Sequence, residues 1–140
     1  MDAYLMPGVS YMRLEEEYLK YGSLVIAVDF DDTLFDYHGK GHTFELMFQL
    51  VRDLKAMNCV IIIWTGNQKT QMIEEYLKEK NVPYDLINED SDVAKEFVIQ
   101  KGYPQPRKVY ANCYLDDRAG LLQAYVDLRQ LIVNHSSGIL

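Results

Sequence analysis

At 140 residues the chain has the length of one domain, enough to bury roughly two-thirds of the surface that its unfolded form exposes. A net charge of −7 disfavours nonspecific nucleic-acid binding, which runs on Lys and Arg neutralising phosphates. There are two cysteines, Cys59 and Cys113, without zinc spacing, the amino-terminal stretch lacks a signal-peptide pattern, and no apolar run nears the length of a membrane span; together these read as a soluble, cytoplasmic protein with no membrane partner.

The predicted elements alternate between helix and strand. Val9 to Tyr21 is a helix, with Met12, Leu14, Tyr18 and Leu19 set among glutamates and Gly22 as its stop. Leu24 to Val28 is short, continuous and β-branched, the pattern of a strand buried on both faces of a parallel sheet. It runs straight into four aspartates within eight positions, Asp29, Asp31, Asp32 and Asp36. Two carboxylates about 4 Å apart repel by about 1 kcal/mol in water and about 4 kcal/mol near a protein surface. Such a strand end calls for a cation. Leu34 to His42 has two glycines and no apolar period, so it reads as a loop, and Thr43 caps a helix carrying Phe44, Met47, Leu50, Val51, Leu54 and Met57 at helical spacing. Cys59 to Trp64 is the second strand, closed by Thr65-Gly66-Asn67, and a helix beginning near Asn67 carries Met72, Ile73, Tyr76 and Leu77. Tyr84 to Ile87 is a weaker third strand. Asp92 to Lys101 is a helix closed by Gly102, Val109 to Leu115 a fourth strand ending in Asp116-Asp117, and Leu121 to Val133 the last helix. Residues 134–140 read as a loose tail. The whole is an α/β domain with a parallel sheet and helices on both faces.

Three polar clusters then stand at the carboxyl ends of three strands: Asp29/Asp31/Thr33, Thr65/Gly66/Asn67 and Asp116/Asp117. In open parallel sheets that edge is where ligands bind. With the sequences DFDDTL, WTGN and YLDDRAG in this order, the chain from about Leu24 to about Val133 resembles the haloacid dehalogenase superfamily of phosphatases and phosphotransferases. The resemblance implies a single Rossmann-like domain with Asp29 as the nucleophile that forms an aspartyl-phosphate and Asp31 as the general acid and base. It also implies Mg²⁺ held by the Asp29 carboxylate, the Asp31 backbone carbonyl and the fourth-motif acids Asp116 and Asp117, one directly and the other through water, with Asp116 favoured as the direct ligand. Thr65, with nearby backbone N–H groups of Gly66 and Asn67, is expected to bind a phosphate oxygen. Two lysines qualify for the third motif: Lys108, eight residues before Asp116 and the favoured one, and Lys95 within a predicted helix.

The glycine usual after the second aspartate is Asp32 here. Cap domains, which in this superfamily are inserted after the first motif or between the second and third, have no room in either interval. The expected substrate is therefore a phosphorylated small molecule or an exposed phosphate on a larger one, reached through an open site. The Leu34 to His42 loop, with Phe35, Tyr37, His38 and His42, is the expected lid, unless a homo-oligomer or the substrate's own bulk closes the site. An EF-hand is excluded because Leu34 stands at its obligatory glycine and Lys40 at its bidentate glutamate. A phospho-accepting receiver domain is excluded by the order of its motifs. The alternative kept is a noncatalytic phosphate- or metal-binding module on the same fold.

Overall fold

The computed structural model describes residues 2–104 and 106–136. After a short 3-10 turn at Ala3–Leu5, the elements are α1 (Val9–Tyr21), β1 (Val25–Val28), α2 (Glu45–Ala56), β2 (Val60–Ile63), α3 (Thr70–Glu79), β3 (Leu86–Ile87), α4 (Asp92–Lys101), β4 (Cys113–Leu115) and α5 (Leu121–His135). The four strands form one sheet in the order β3-β2-β1-β4, and every pairing is parallel. All four carboxyl ends therefore share one edge. The architecture is the expected α/β, Rossmann-like one.

Strand side chains alternate between the two faces. Leu24, Ile26, Val28 and Phe30, beside Cys59, Ile61, Ile63 and Leu115, build the main core together with Leu14 of α1, Leu50 and Leu54 of α2, Ile73 and Leu77 of α3, and Leu128 and Leu131 of α5. The opposite face is thinner: Ala27 and Ile62 lie under Val109, flanked by Leu86 and Tyr114. The crossover from β3 to β4 runs back past β2 and β1, so the right-handed rule puts α4 on this second side, away from α2 and α3. Its ten residues include none that is buried. Between Thr33 and Thr65 the structure holds a loop, α2 and β2, and between Asn67 and Lys108 it holds α3, β3 and α4.

Several boundaries differ from the sequence expectation for local reasons. β4 pairs only from Cys113, because Val109 packs onto the sheet and the Asn112 side chain, through Oδ1, takes the Val25 N–H at 2.7 Å. Thr43 does not cap α2; Phe44 holds the N-cap position without a side-chain cap bond and instead packs on the core. The last helix extends past Val133, since Asn134 Nδ2 donates to the Tyr11 hydroxyl at 2.7 Å and His135 Nε2 lies 2.8 Å from Glu15. Residues 134 and 135 are thus fastened to α1 rather than loose, and 137–140 of the expected tail lie outside the described residues. Among the described residues no helix is long and apolar enough to cross a membrane.

Candidate active site

β1 delivers Asp29 to the carboxyl edge while its backbone N–H still donates to Leu115 O of β4 at 2.9 Å. The next residue, Phe30, turns back into the core and is fully buried. Its carbonyl accepts from the N–H groups of Thr33, Leu34 and Phe35 at 3.3, 2.9 and 3.0 Å, and Asp32 N donates to Phe35 O at 2.7 Å. So tight a turn puts Asp32 at φ 61°, the left-handed region where glycine costs least and aspartate is tolerated. Glycine would adopt that backbone conformation without strain. Aspartate brings an extra contact, its carboxylate lying 2.9 Å from His38 Nδ1.

Beside the turn, Asp29, Asp116 and Asp117 each offer a carboxylate oxygen, all within 4.8 Å of one another. The buried Thr33 hydroxyl accepts from the Asp117 N–H at 3.1 Å and lies 3.1 Å from Asp29 Oδ2 and 3.2 Å from Asp117 Oδ1, so its single proton serves one of the two at a time. Asp116 Oδ1 accepts from the Arg118 N–H at 2.9 Å. Burial, then the hydrogen-bonded Asp117 carboxyl and the charge of Asp116, push the Asp29 carboxyl up to about 7. A cluster of oxygen donors that binds protons this readily is short of positive charge, and a hard divalent cation such as Mg²⁺ fits it.

The sign of the resulting pH effect follows from linkage. An unfolded aspartate titrates near about 4, so between there and about 7 the folded chain binds more protons than the unfolded one, and stability falls as pH rises. In EDTA the melting temperature is expected to decline through this window, and Asp29→Asn to lack that part of the decline. Millimolar Mg²⁺, bound only by the folded state, should restore the loss on the alkaline side. Coincident melts with and without Mg²⁺ would remove the cluster from consideration as a metal site.

The second polar cluster is tied together by its own side chains. Thr65 Oγ1 accepts from Asn67 N at 3.0 Å, Asn67 Oδ1 accepts from Lys69 N at 3.0 Å, and Asn67 Nδ2 donates to Asp31 Oδ1 at 3.3 Å. These side-chain bonds occupy residues 65–69, so α3 begins at Thr70 rather than near Asn67. Asn67 thus links this loop to Asp31, whose side chain is not among the three clustered acids. Sequence reasoning missed Asn88, whose Oδ1 accepts the Thr65 N–H at 2.8 Å. Its signal was an asparagine directly after a strand, the residue type that enters the left-handed region there (φ 53°). Neither candidate lysine is held against the aspartates among the described residues: Lys95 pairs with Glu89, and the Lys108 ammonium stands 4.9 Å over the Tyr114 ring.

The expected lid divides in two. Phe35 stacks on Phe30 at 5.2 Å and meets Tyr76 edge-on at 5.0 Å, while the Tyr76 hydroxyl donates to Leu34 O at 2.7 Å. Leu34 and Phe35 are therefore anchored to the core, and only the stretch from Tyr37 onward is exposed, with Asp36 accepting from Lys40 N and Gly41 N. Phe35→Ala is expected to cost about 3 kcal/mol of stability, as for other large aromatic truncations against a core. Tyr37→Ala should leave urea unfolding nearly unchanged and lower kcat/KM instead. Equal losses of stability in the two variants would contradict this division. Tyr37 also borders a cleft of about 720 Å³ that opens beside Asp31 and Asn67 and runs along α3.

No protein-family profile and no curated protein matches the chain. Among solved structures, a conserved protein from Bacteroides thetaiotaomicron superposes with a TM-score of 0.59 at 20% identity, over 80% of this chain and 91% of that one. At that identity the likeness shows a common fold.

Proposed function

We propose that the chain is a Mg²⁺-dependent phosphomonoesterase that works through an aspartyl-phosphate on Asp29. The observation that carries this reading is the meeting of Asp29, Asp116 and Asp117 within 4.8 Å on the edge where Asn67 bonds Asp31. An Asp29 oxygen forms a bond to phosphorus as the bond to the leaving oxygen breaks, and Asp31 gives that oxygen its proton. Asp31 then takes a proton from the water that attacks the phosphorus of the aspartyl-phosphate, which releases inorganic phosphate and restores Asp29. Asp29, Asp116 and Asp117, with the Asp31 carbonyl, would hold Mg²⁺, which when bound offsets the repulsion between these carboxylates and the phosphate dianion. Thr65, Gly66 and Asn67 would receive the phosphate oxygens.

The substrate is a phosphorylated small molecule or an exposed phosphate, and with Cys59 and Cys113 both free we infer a reducing, cytoplasmic setting. Release of phosphate from acetyl phosphate and an aryl phosphate, with Mg²⁺ and with EDTA, tests the activity. That Lys95 pairs with Glu89 and Lys108 lies over the Tyr114 ring favours one rival, a noncatalytic module that binds phosphate or metal. Mg²⁺-dependent turnover abolished in Lys95→Ala or Lys108→Ala rules that rival out and names the third-motif lysine, whereas binding without turnover in the unaltered chain establishes it.

A further inference from the structure

The cleft beside Asp31 has an ordered polarity. One wall is a stripe along α3 and its N-cap, in which Lys69, Met72, Glu75, Tyr76 and Glu79 follow one another at helical spacing, and Tyr37 lines the same cleft. From Lys69 to Glu79 a helix rises about 15 Å. The lysine lies at the Asp31 and Asn67 end, Met72 follows, Glu75 and Tyr76 come next as neighbours, and Glu79 closes the far end. Glu75 Oε1 accepts from Gln71 Nε2 at 3.2 Å, but neither Glu75 nor Glu79 makes an ion pair among the described residues. Lys80 stands 5.9 Å over the Tyr76 ring and does not line the cleft.

We infer that this cleft receives the leaving group of the phosphate ester and selects a flat ring that carries a cationic amine on the side away from phosphorus. The inference rests on the phosphomonoesterase reading only for where the phosphate sits. The ring would lie against Tyr37, Met72 and Tyr76, which supply apolar surface. The amine would reach Glu75 and Glu79, and a carboxylate in its place would meet two like charges.

Three esters that differ only at the far end of the ring test this: tyramine O-phosphate, para-ethylphenyl phosphate and para-(carboxyethyl)phenyl phosphate. Each is measured by kcat/KM and, independently, by calorimetric binding. The expected order is amine over ethyl over carboxyethyl, with about a 3- to 10-fold preference for the amine over ethyl, the size that solvent-exposed charge pairs support. The preference should shrink with added salt and vanish in Glu75→Gln/Glu79→Gln, while Glu74→Gln, outside the cleft on the same helix, keeps it. Equal rates and affinities for the three esters, or a preference that survives the double substitution, would overturn the inference. If nothing is hydrolysed, acetyl phosphate included, but the binding order holds, the catalytic reading fails and the cleft assignment stands.

Discussion

Asp29→Asn is expected to abolish phosphate release altogether, whereas Asp31→Asn is expected to slow it by about 10² to 10⁴, the usual worth of a positioned general acid and base. The two losses differ in kind. An amide in place of the Asp29 carboxylate is no nucleophile, so no covalent intermediate forms, while an amide in place of the Asp31 carboxyl still permits attack and only withholds the proton. Rapid-quench trapping of radiolabelled phosphate on the chain separates them: Asp29→Asn should trap none, and Asp31→Asn should accumulate it from an ester whose leaving group needs no proton, because the base for the hydrolytic water is lost. Neither substitution should unfold the chain. Asp29→Asn removes a carboxyl held by its neighbours up to about 7, so its melting temperature in EDTA at neutral pH should rise. Substantial turnover in Asp29→Asn would end the nucleophile assignment.

Phe30→Ala is expected to be the most damaging change to the fold, and it acts on the site as well. The ring is fully buried, stacked on Phe35 at 5.2 Å and met edge-on by Tyr76 at 5.5 Å. Truncation leaves a cavity at the junction of β1, the loop and α3, at a cost of about 3 to 5 kcal/mol. For a chain of this length that lowers the melting temperature by about 10 to 15 °C. The Phe30 carbonyl is also the acceptor for three consecutive N–H groups of the turn that aims Asp31, so residual folded protein should show reduced kcat. Phe30→Leu keeps most of the volume and should recover much of the stability. A wild-type melting curve for Phe30→Ala would mean that the turn does not depend on this packing.

The strand ends were legible in the sequence because both of their signals are local. A continuous β-branched run such as Val60 to Ile63 can be satisfied only inside a sheet, and the abrupt change to Asp29, Thr65 and Asp116 marks where each strand leaves it. Parallel order then brings the three ends to one edge, and α1 and α4 occupy the spans expected of them, each ending at its glycine stop. What the local pattern could not carry was any feature decided by a distant partner. Asn112 shortens β4 by bonding Val25, His135 prolongs α5 by meeting Glu15, and Asn88 braces Thr65 across 23 positions.

The same division holds at the site. Four aspartates in eight positions predicted a cation, and the resemblance grouped Asp29 with Asp116 and Asp117, whose carboxylates the fold gathers; only the tertiary structure decided that the Asp31 side chain is held by Asn67. The loop after Asp31 read as one exposed lid, and the fold divided it, because Phe35 finds Phe30 and Tyr76 across the core while exposed Tyr37 meets its neighbour His38 and borders the open cleft. Sequence by itself determined which residue types gather at which strand ends, since that depends on burial period and on charge. Which of them touch was left to packing, because a carboxylate's neighbours, its proton affinity and the cleft it faces are set by side chains brought together from strands and helices far apart in the chain.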